Sequence, residues 1–316
     1  MSGDSKVICI VGPTASGKSA LADLIALELG SPVISVDAMQ VYRGMDIGTA
    51  KTPAPDRRVP LLMVDVVDPC EDNSVRLFRD DARRCVDEVL ASGRIPVLCG
   101  GTGLYLNAVI DEMEFPSGER GDERRSGYEK LASELGAEGL HALLAERDPR
   151  SAEIIHPNNV RRVVRALEML DEGSSYARHH EGLHQRAAHY DAMIWGLTMG
   201  RERLYARIDT RVDKMMEDGL LDEVKGLAAR GLTVDSTAGQ AIGYKELLEA
   251  LEGRSSLEEA VELIKRRSRR YAKRQLSWFR HDGRVRWIDL DATTLEEARD
   301  QILGSLGPGG GTHGTL

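Results

Sequence analysis

The stretch Gly12-Pro13-Thr14-Ala15-Ser16-Gly17-Lys18-Ser19 constrains this chain more than any other. It satisfies G-x-x-x-x-G-K-[ST] at every fixed position. Its flanks agree. Val7-Ile8-Cys9-Ile10-Val11 is a continuous apolar run, as in a parallel strand buried on both faces, and Ala20 to Leu29 reads as a helix closed by Gly30. Strand, glycine-bearing loop and helix N-terminus in that order make an anion site. Backbone N–H groups point at the phosphates, the helix dipole adds favourable potential, and Lys18 adds a point charge. The hydroxyl of Ser19 is then the expected Mg²⁺ ligand. The loop states that a di- or triphosphate is held. It leaves open whether that group is hydrolysed, transferred or simply released.

A chain of 316 residues can bury a substantial core and is expected to hold two domains. No apolar run approaches the ~20 residues of a membrane span. The segment Met1–Lys6 lacks a signal-peptide pattern, so the expected compartment is the cytoplasm. Cys9, Cys70, Cys85 and Cys99 form no C-x-x-C pair and read as thiols in a reducing compartment. A net charge of −9 argues against a nucleic-acid partner only as an average, because a local basic stripe matters more.

Five further runs read as strands: Pro32–Val36, Leu61–Val67, Ile95–Cys99, Met193–Leu197 and Val285–Asp289. Helices are predicted over Val75–Ala91, Glu202–Asp218 and Leu220–Ala229, and from Leu257 to Arg280. Asp37 follows the second strand at its C-terminal end, the edge where open parallel sheets carry ligands. Its residue type serves equally as a helix cap or a catalyst. Gly100-Gly101-Thr102-Gly103 follows the fourth strand at the same edge, where backbone could approach a ligand closely. The fold class is therefore α/β, a P-loop NTPase-like parallel sheet core with a helical insertion domain. The core is assigned to 1–111 and 193–303, the insertion to 112–192 and a flexible tail to 304–316.

Within the insertion, helical segments are predicted at Tyr128–Leu135, Leu140–Glu146 and Asn159–Asp171. Arg161, Arg162 and Arg165 share a face of the last, as a solvated surface or a phosphate contact. His179, His180, His184 and His189 fall in a polar, loop-like stretch without metal-ligand geometry. Arg207, Arg211 and Lys214 flank the apolar stripe of the Glu202–Asp218 helix. They could reach the phosphate loop or pair with Asp209 and Asp213. Between Lys265 and Arg280, eight of sixteen residues are Lys or Arg and none is acidic, an electrostatic footprint for a polyanion. Tyr271, Trp278 and Phe279 add stacking faces or apolar anchors.

With these residues in view, the chain resembles the tRNA dimethylallyltransferase family, also called tRNA isopentenylpyrophosphate transferases, in its bacterial form. The resemblance is carried by Gly12–Ser19, by Ile34–Asp37 through Tyr42–Lys51, and by Gly100–Tyr105. It continues through His156–Asn158, Arg161–Glu168, Ile242–Tyr244 and Lys273–Trp278. It implies transfer of a dimethylallyl group from dimethylallyl diphosphate to the exocyclic amine of the adenine 3′-adjacent to the anticodon, with Mg²⁺ assisting. Asp37 would orient the amine and take its proton. Lys18, the loop, Ser19 with Mg²⁺, and Arg211 would stabilise the departing diphosphate. The tRNA would be met by Asp37, Ala38, Met39, Gln40 and Thr102 near the base. Further out it would meet Gln240, Gly243, Tyr244, Lys245, Lys273, Arg274, Gln275 and Arg280, together with Arg124, Arg161, Arg162 and Arg165 of the insertion. A monomer is the expected state.

Two positions depart from the family pattern: Ala38 where serine is common, and Leu61-Leu62 where histidine is frequent. A small-molecule or nucleoside kinase is the main rival, but it would give the basic helix no purpose. An isopentenyltransferase for free adenine nucleotides is disfavoured on the same ground. A non-catalytic RNA-binding protein is disfavoured by the intact Gly17-Lys18-Ser19 and Asp37.

Overall fold

All six predicted strands enter one parallel sheet, as unbroken apolar runs require if both faces are to be covered. The structure is a computed structural model and describes residues 6–113, 115, 123–182 and 187–307. Strand β1 (Lys6–Val11) leads through the phosphate loop into α1 (Lys18–Glu28), then β2 (Val33–Ser35) and β3 (Leu61–Leu62). Helix α2 (Val75–Ala91) has the predicted bounds, set by Ser74, whose hydroxyl accepts from the Leu77 amide. Strand β4 (Val97–Gly100) and α3 (Gly103–Ile110) complete the first half. Helix α3 was not expected. Its sequence, Gly103-Leu104-Tyr105-Leu106-Asn107-Ala108-Val109-Ile110, has little polar contrast around its circumference, and its buried residues leave no solvent face to mark it.

The third strand falls short of its prediction. Met63 and Asp65 adopt φ of 60° and 58°, left-handed values that end the extended run after two residues.

The chain divides into two units, Met1–Ile110 with Ala188–Leu316, and Asp111–Ala187. In the second unit, α4 (Glu123–Arg147) joins the two predicted segments across a break at Gly136, whose φ is 70°. It is followed by α5 (Pro149–Ile154), α6 (Val160–Asp171) and α7 (Tyr176–Gly182). Leu140, Leu144, Val163, Val164 and Leu167 form this unit's own apolar core. His179 and His180 lie on α7, not in a loop, and His184 lies outside the described residues.

In the first unit the chain resumes with β5 (Asp191–Thr198), α8 (Arg201–Glu217) and α9 (Leu220–Ala229). Then come α10 (Tyr244–Leu251), α11 (Leu257–Arg280), β6 (Arg286–Asp289) and α12 (Leu295–Gly304). Helix α12 was also missed, although Thr294 and Glu297 form a capping box that announces it. The tail expected from Gly304 falls outside the described residues from 308 onward.

The sheet order is β3-β2-β4-β1-β5-β6. Alternation along β1 sends Val7, Cys9 and Val11 to one apolar layer and Ile8 and Ile10 to the other. Since β4 lies between β1 and β2, the phosphate loop, the glycine turn after β4 and Asp37 after β2 emerge side by side at one sheet edge.

Candidate active site

The phosphate loop is braced from several directions. The Thr14 amide donates to Gln275 Oε1 at 2.8 Å, Arg207 Nε donates to the Ala15 carbonyl at 2.8 Å, and Ala15 itself has φ 62°. Helix α1 starts at Lys18, so the amides of Lys18, Ser19 and Ala20 have no intrahelical acceptor. The Ser16 hydroxyl is buried with no hydrogen-bond partner among the described residues. Unmatched donors gathered at a helix start suit an anion.

Lys18 Nζ donates to the Pro13 carbonyl at 2.8 Å. Burial brings its pKa down to about 8; Cys99 pulls upward, Arg211 downward, and Asp37 upward again. Two pH effects follow. The unfolded chain holds the extra proton between about 8 and the ordinary 10.5, so the group's cost to folding is fully present below pH 8 and is relieved as pH rises through that window. Anion binding runs the other way. In the free protein, diphosphate affinity measured by calorimetry is expected to fall between pH 7 and 9, and the Lys18→Met variant is expected to lose most of that dependence.

On the neighbouring strand ends, Asp37 Oδ1 accepts from the Met39 amide at 2.8 Å and the Gln40 amide at 3.4 Å. Its Oδ2 has no hydrogen-bond partner among the described residues. Thr102 Oγ1 accepts from the Ala38 amide at 3.3 Å. Gln40 is fixed at both ends of its side chain. Its Oε1 accepts from Ser35 Oγ at 2.8 Å, and its Nε2 donates to the Thr49 carbonyl at 3.1 Å. Arg211 is half-buried, and the desolvation lowers its pKa; the charge of Asp37 opposes that fall and Arg207 adds to it. Tyr271 is pushed up to about 12 by burial first and Asp37 second, with hydrogen bonds to Thr102 and Gln275 acting the other way.

Lys18, Ser19, Asp37, Gln40, Thr102, Arg211 and Tyr271 all line one cavity of about 390 Å³. The same walls carry Val33, Leu61, Ile208, Val212, Met215 and Ile264, so polar groups and an apolar lining share one cavity.

The basic residues beside the stripe of α8 divide their roles. Arg207 and Arg211 turn to the loop and cavity, while Lys214 pairs with Asp218 at 2.5 Å. Asp209 and Asp213 pair instead with α11, at 2.5 Å to Arg269 and 2.7 Å to Lys265. Arg267 is likewise engaged, by the buried Glu246. The basic run therefore presents less free charge than its sequence suggests. Arg266, Arg270, Lys273 and Arg280 remain exposed along one stripe, with Arg274 beside them over the Tyr271 ring and Trp278 40% exposed.

Several residues grouped with tRNA contacts are engaged by other parts of the protein. Gln275 is buried; it accepts from Thr14 and donates through Nε2 to the Gly101 carbonyl at 3.0 Å. Tyr244 is fully buried, with its hydroxyl donating to Glu223 Oε1 at 2.5 Å. Gly243 caps α10 by donating to Glu246. Gln240 donates to the Val234 carbonyl and accepts from Lys245 Nζ at 3.2 Å. Gln240 and Gly243 also line the cavity. The glycine turn has a protein reason too: a Cβ at Gly101 would strike the Gln275 amide and one at Gly103 the Trp278 indole. It is helix α11 that approaches this backbone.

In the second unit, Arg161 and Arg162 are exposed on α6, as is Arg124 on α4. Arg165 is tied to the buried Glu168 at 3.1 Å. Arg207, one of the basic residues that the sequence allows to reach the phosphate loop, does so through the Ala15 carbonyl; Tyr271, read as a stacking face or apolar anchor, lines the cavity; Glu223 has no part in the site as the sequence presents it. The amides that Glu223 accepts from lie 175–177 residues away along the chain, and no local pattern announces it.

A parallel sheet carrying this loop, with an acid and a half-buried arginine on the same cavity, defines a P-loop protein whose loop is suited to an anion. Two family models match the chain, "IPP transferase" over residues 40–282 and "Isopentenyl transferase" over residues 5–57, and the chain belongs to the IPP transferase family. It is 45% identical to the tRNA dimethylallyltransferase of Carboxydothermus hydrogenoformans over 96% of this chain and 97% of that one. It is 46% identical to that of Geobacillus kaustophilus over 95% and 97%. Among solved structures it resembles the tRNA isopentenylpyrophosphate transferase of Bacillus halodurans, with a TM-score of 0.70, 45% identity, and 96% and 97% of the two chains covered. It also resembles a eukaryotic dimethylallyltransferase acting on tRNA, with a TM-score of 0.78, 29% identity, and 95% and 78% covered.

Proposed function

We propose that the chain transfers a dimethylallyl group from dimethylallyl diphosphate to the exocyclic amine of the adenine 3′-adjacent to the anticodon of tRNA, releasing diphosphate, as a cytoplasmic monomer. The observation that carries this reading is that Asp37, Lys18 and Arg211 line one cavity that also has apolar walls. The adenine amine is a weak nucleophile because its lone pair is delocalised into the ring. Asp37 Oδ1 is fixed by backbone amides, which leaves Oδ2 to take the amine proton as the new N–C bond forms. The allylic C–O bond breaks at the same centre. Lys18, the loop amides and Arg211 receive the negative charge that develops on the departing diphosphate.

Mg²⁺ suits the oxygen donors present. Ser19 is exposed in the cavity at the start of α1 and would hold the ion together with diphosphate oxygens, the usual mixture for this hard cation. When bound, the ion supplies charge neutralisation to the leaving group. Among the described residues, no helix is long and apolar enough to cross a membrane.

The relatives' names support prenyl transfer over the kinase alternative. The test is incubation with dimethylallyl diphosphate, Mg²⁺ and unmodified tRNA, followed by mass spectrometry for prenylated adenosine. An ATP control addresses the kinase alternative, and phosphorylation of a small molecule in place of prenylated tRNA would overturn the reading. A second expectation concerns the exposed stripe of α11. Neutralising Lys273 and Arg274 together should weaken tRNA binding and flatten its salt dependence by about 0.7–0.9 per lost phosphate contact. An unchanged salt slope removes both residues from the interface.

A further inference from the structure

Glu223, in the first turn of α9, is the acceptor for four donors. Its Oε2 accepts from the Asp46 amide at 3.0 Å and the Ile47 amide at 2.8 Å. Its Oε1 accepts from the Gly48 amide at 3.3 Å and from the Tyr244 hydroxyl at 2.5 Å. Three successive amides converging on one anion make a nest, a concavity usually filled by a ligand and filled here by a side chain of the protein itself. The Tyr244 ring closes the other side: a Cβ on Gly48 would strike that ring, so only glycine fits there. Burial above all, then the charge of Glu223, pushes the Tyr244 pKa up, so its hydroxyl keeps its proton and remains a donor.

What this nest holds is one wall of the cavity. Gly48, Thr49 and Ala50 line it, and the Thr49 carbonyl accepts the Gln40 side-chain amide at 3.1 Å. Gln40 in turn donates its backbone amide to Asp37 Oδ1. A second clamp closes the segment. Lys51 Nζ donates to the Tyr42 carbonyl at 2.5 Å, Asp46 Oδ1 at 2.9 Å and Asp65 Oδ1 at 2.6 Å. The chain of bonds thus runs from Glu223 through 46–48 and Thr49 to Gln40 and Asp37.

We propose that Glu223 is a positioning residue for the transfer reaction, holding the 46–50 segment in a nest so that Gln40 and Asp37 stay aligned at the cavity wall. It touches no reacting atom. This inference rests on the prenyl-transfer reading above, and it places the residue's influence on the purine side of the cavity and not on the phosphate loop.

The test compares Glu223→Ala and Glu223→Gln with the unaltered full chain. Glutamine keeps one acceptor oxygen for the amides of 46 and 47 and loses the second. Expected are a kcat for tRNA prenylation lowered by about 10–100-fold in Glu223→Ala and partly recovered in Glu223→Gln, with diphosphate affinity measured by calorimetry within about twofold of the original in both. Amide hydrogen exchange should quicken at 46–48 ahead of the amides of β1 and β4. An unaltered kcat in Glu223→Ala overturns the proposal. So does a loss of diphosphate binding in step with kcat, which marks a general disruption of the fold. Should the unaltered protein fail to prenylate tRNA at all, the functional reading fails, and the exchange measurement still reports whether Glu223 secures the nest.

Discussion

Asp37→Ala lowers the single-turnover rate of prenyl transfer by about 10²–10⁴-fold, the range spanned by loss of a positioned general base. Affinity for tRNA falls by no more than about threefold, because the phosphate contacts that dominate it lie elsewhere. The physical reason is a division of labour across the cavity. Asp37 is the acid group whose charge reaches Lys18, Arg211 and Tyr271 alike, so on the proposed mechanism its removal would strip the base and also disturb the cations meant to receive diphosphate. Asp37→Asn separates the two contributions. An asparagine oxygen can still accept from the Met39 and Gln40 amides and keep the turn after β2, but it cannot take a proton at neutral pH. Both variants are expected to be slow, and a fast asparagine variant would remove proton transfer from the role of this residue.

Gln275→Leu is expected to act on a different quantity. It leaves the Thr14 amide without its acceptor and the Gly101 carbonyl without its donor. An unsatisfied buried group costs about 1–3 kcal/mol, so the pair represents a large fraction of a typical folding stability. The thermal midpoint should fall, and diphosphate affinity should weaken because the phosphate loop loses its brace. Binding of tRNA should change little. The opposite pattern, with stability intact and tRNA binding lost, would return Gln275 to the RNA-facing group in which the family resemblance puts it.

That contrast shows what a linear reading can reach. The phosphate loop is legible because its parts are contiguous: strand, loop and helix start follow within Lys6–Glu28. Asp37 is legible because the end of a buried parallel strand is a recognisable place. Helix α2 is legible to the residue because its cap and its apolar spacing agree. The bonds that shape the cavity are of another kind. Thr14 and Gln275 are 261 residues apart, and Gly48 and Glu223 are 175 apart. Nothing in the composition of either segment names its partner. The basic run of α11 misleads for the same reason, since the carboxylates that neutralise Arg269, Lys265 and Arg267 sit on α8 and α10. The shortened β3 illustrates a further blind spot: left-handed backbone at Met63 and Asp65 carries no glycine to advertise it.

Helix α11 has an outcome for the order of events. One uninterrupted rod carries exposed cations along one side and, on the other, the amide that grips the first turn of the donor loop. A load on the outer side would reach Thr14 through the Gln275 side chain, with no break in the helix between the two sides. Any coupling carried this way would be reciprocal between the two ligands. In the proposed reaction, one side chain, Gln275, would then stand between the seats of the two ligands.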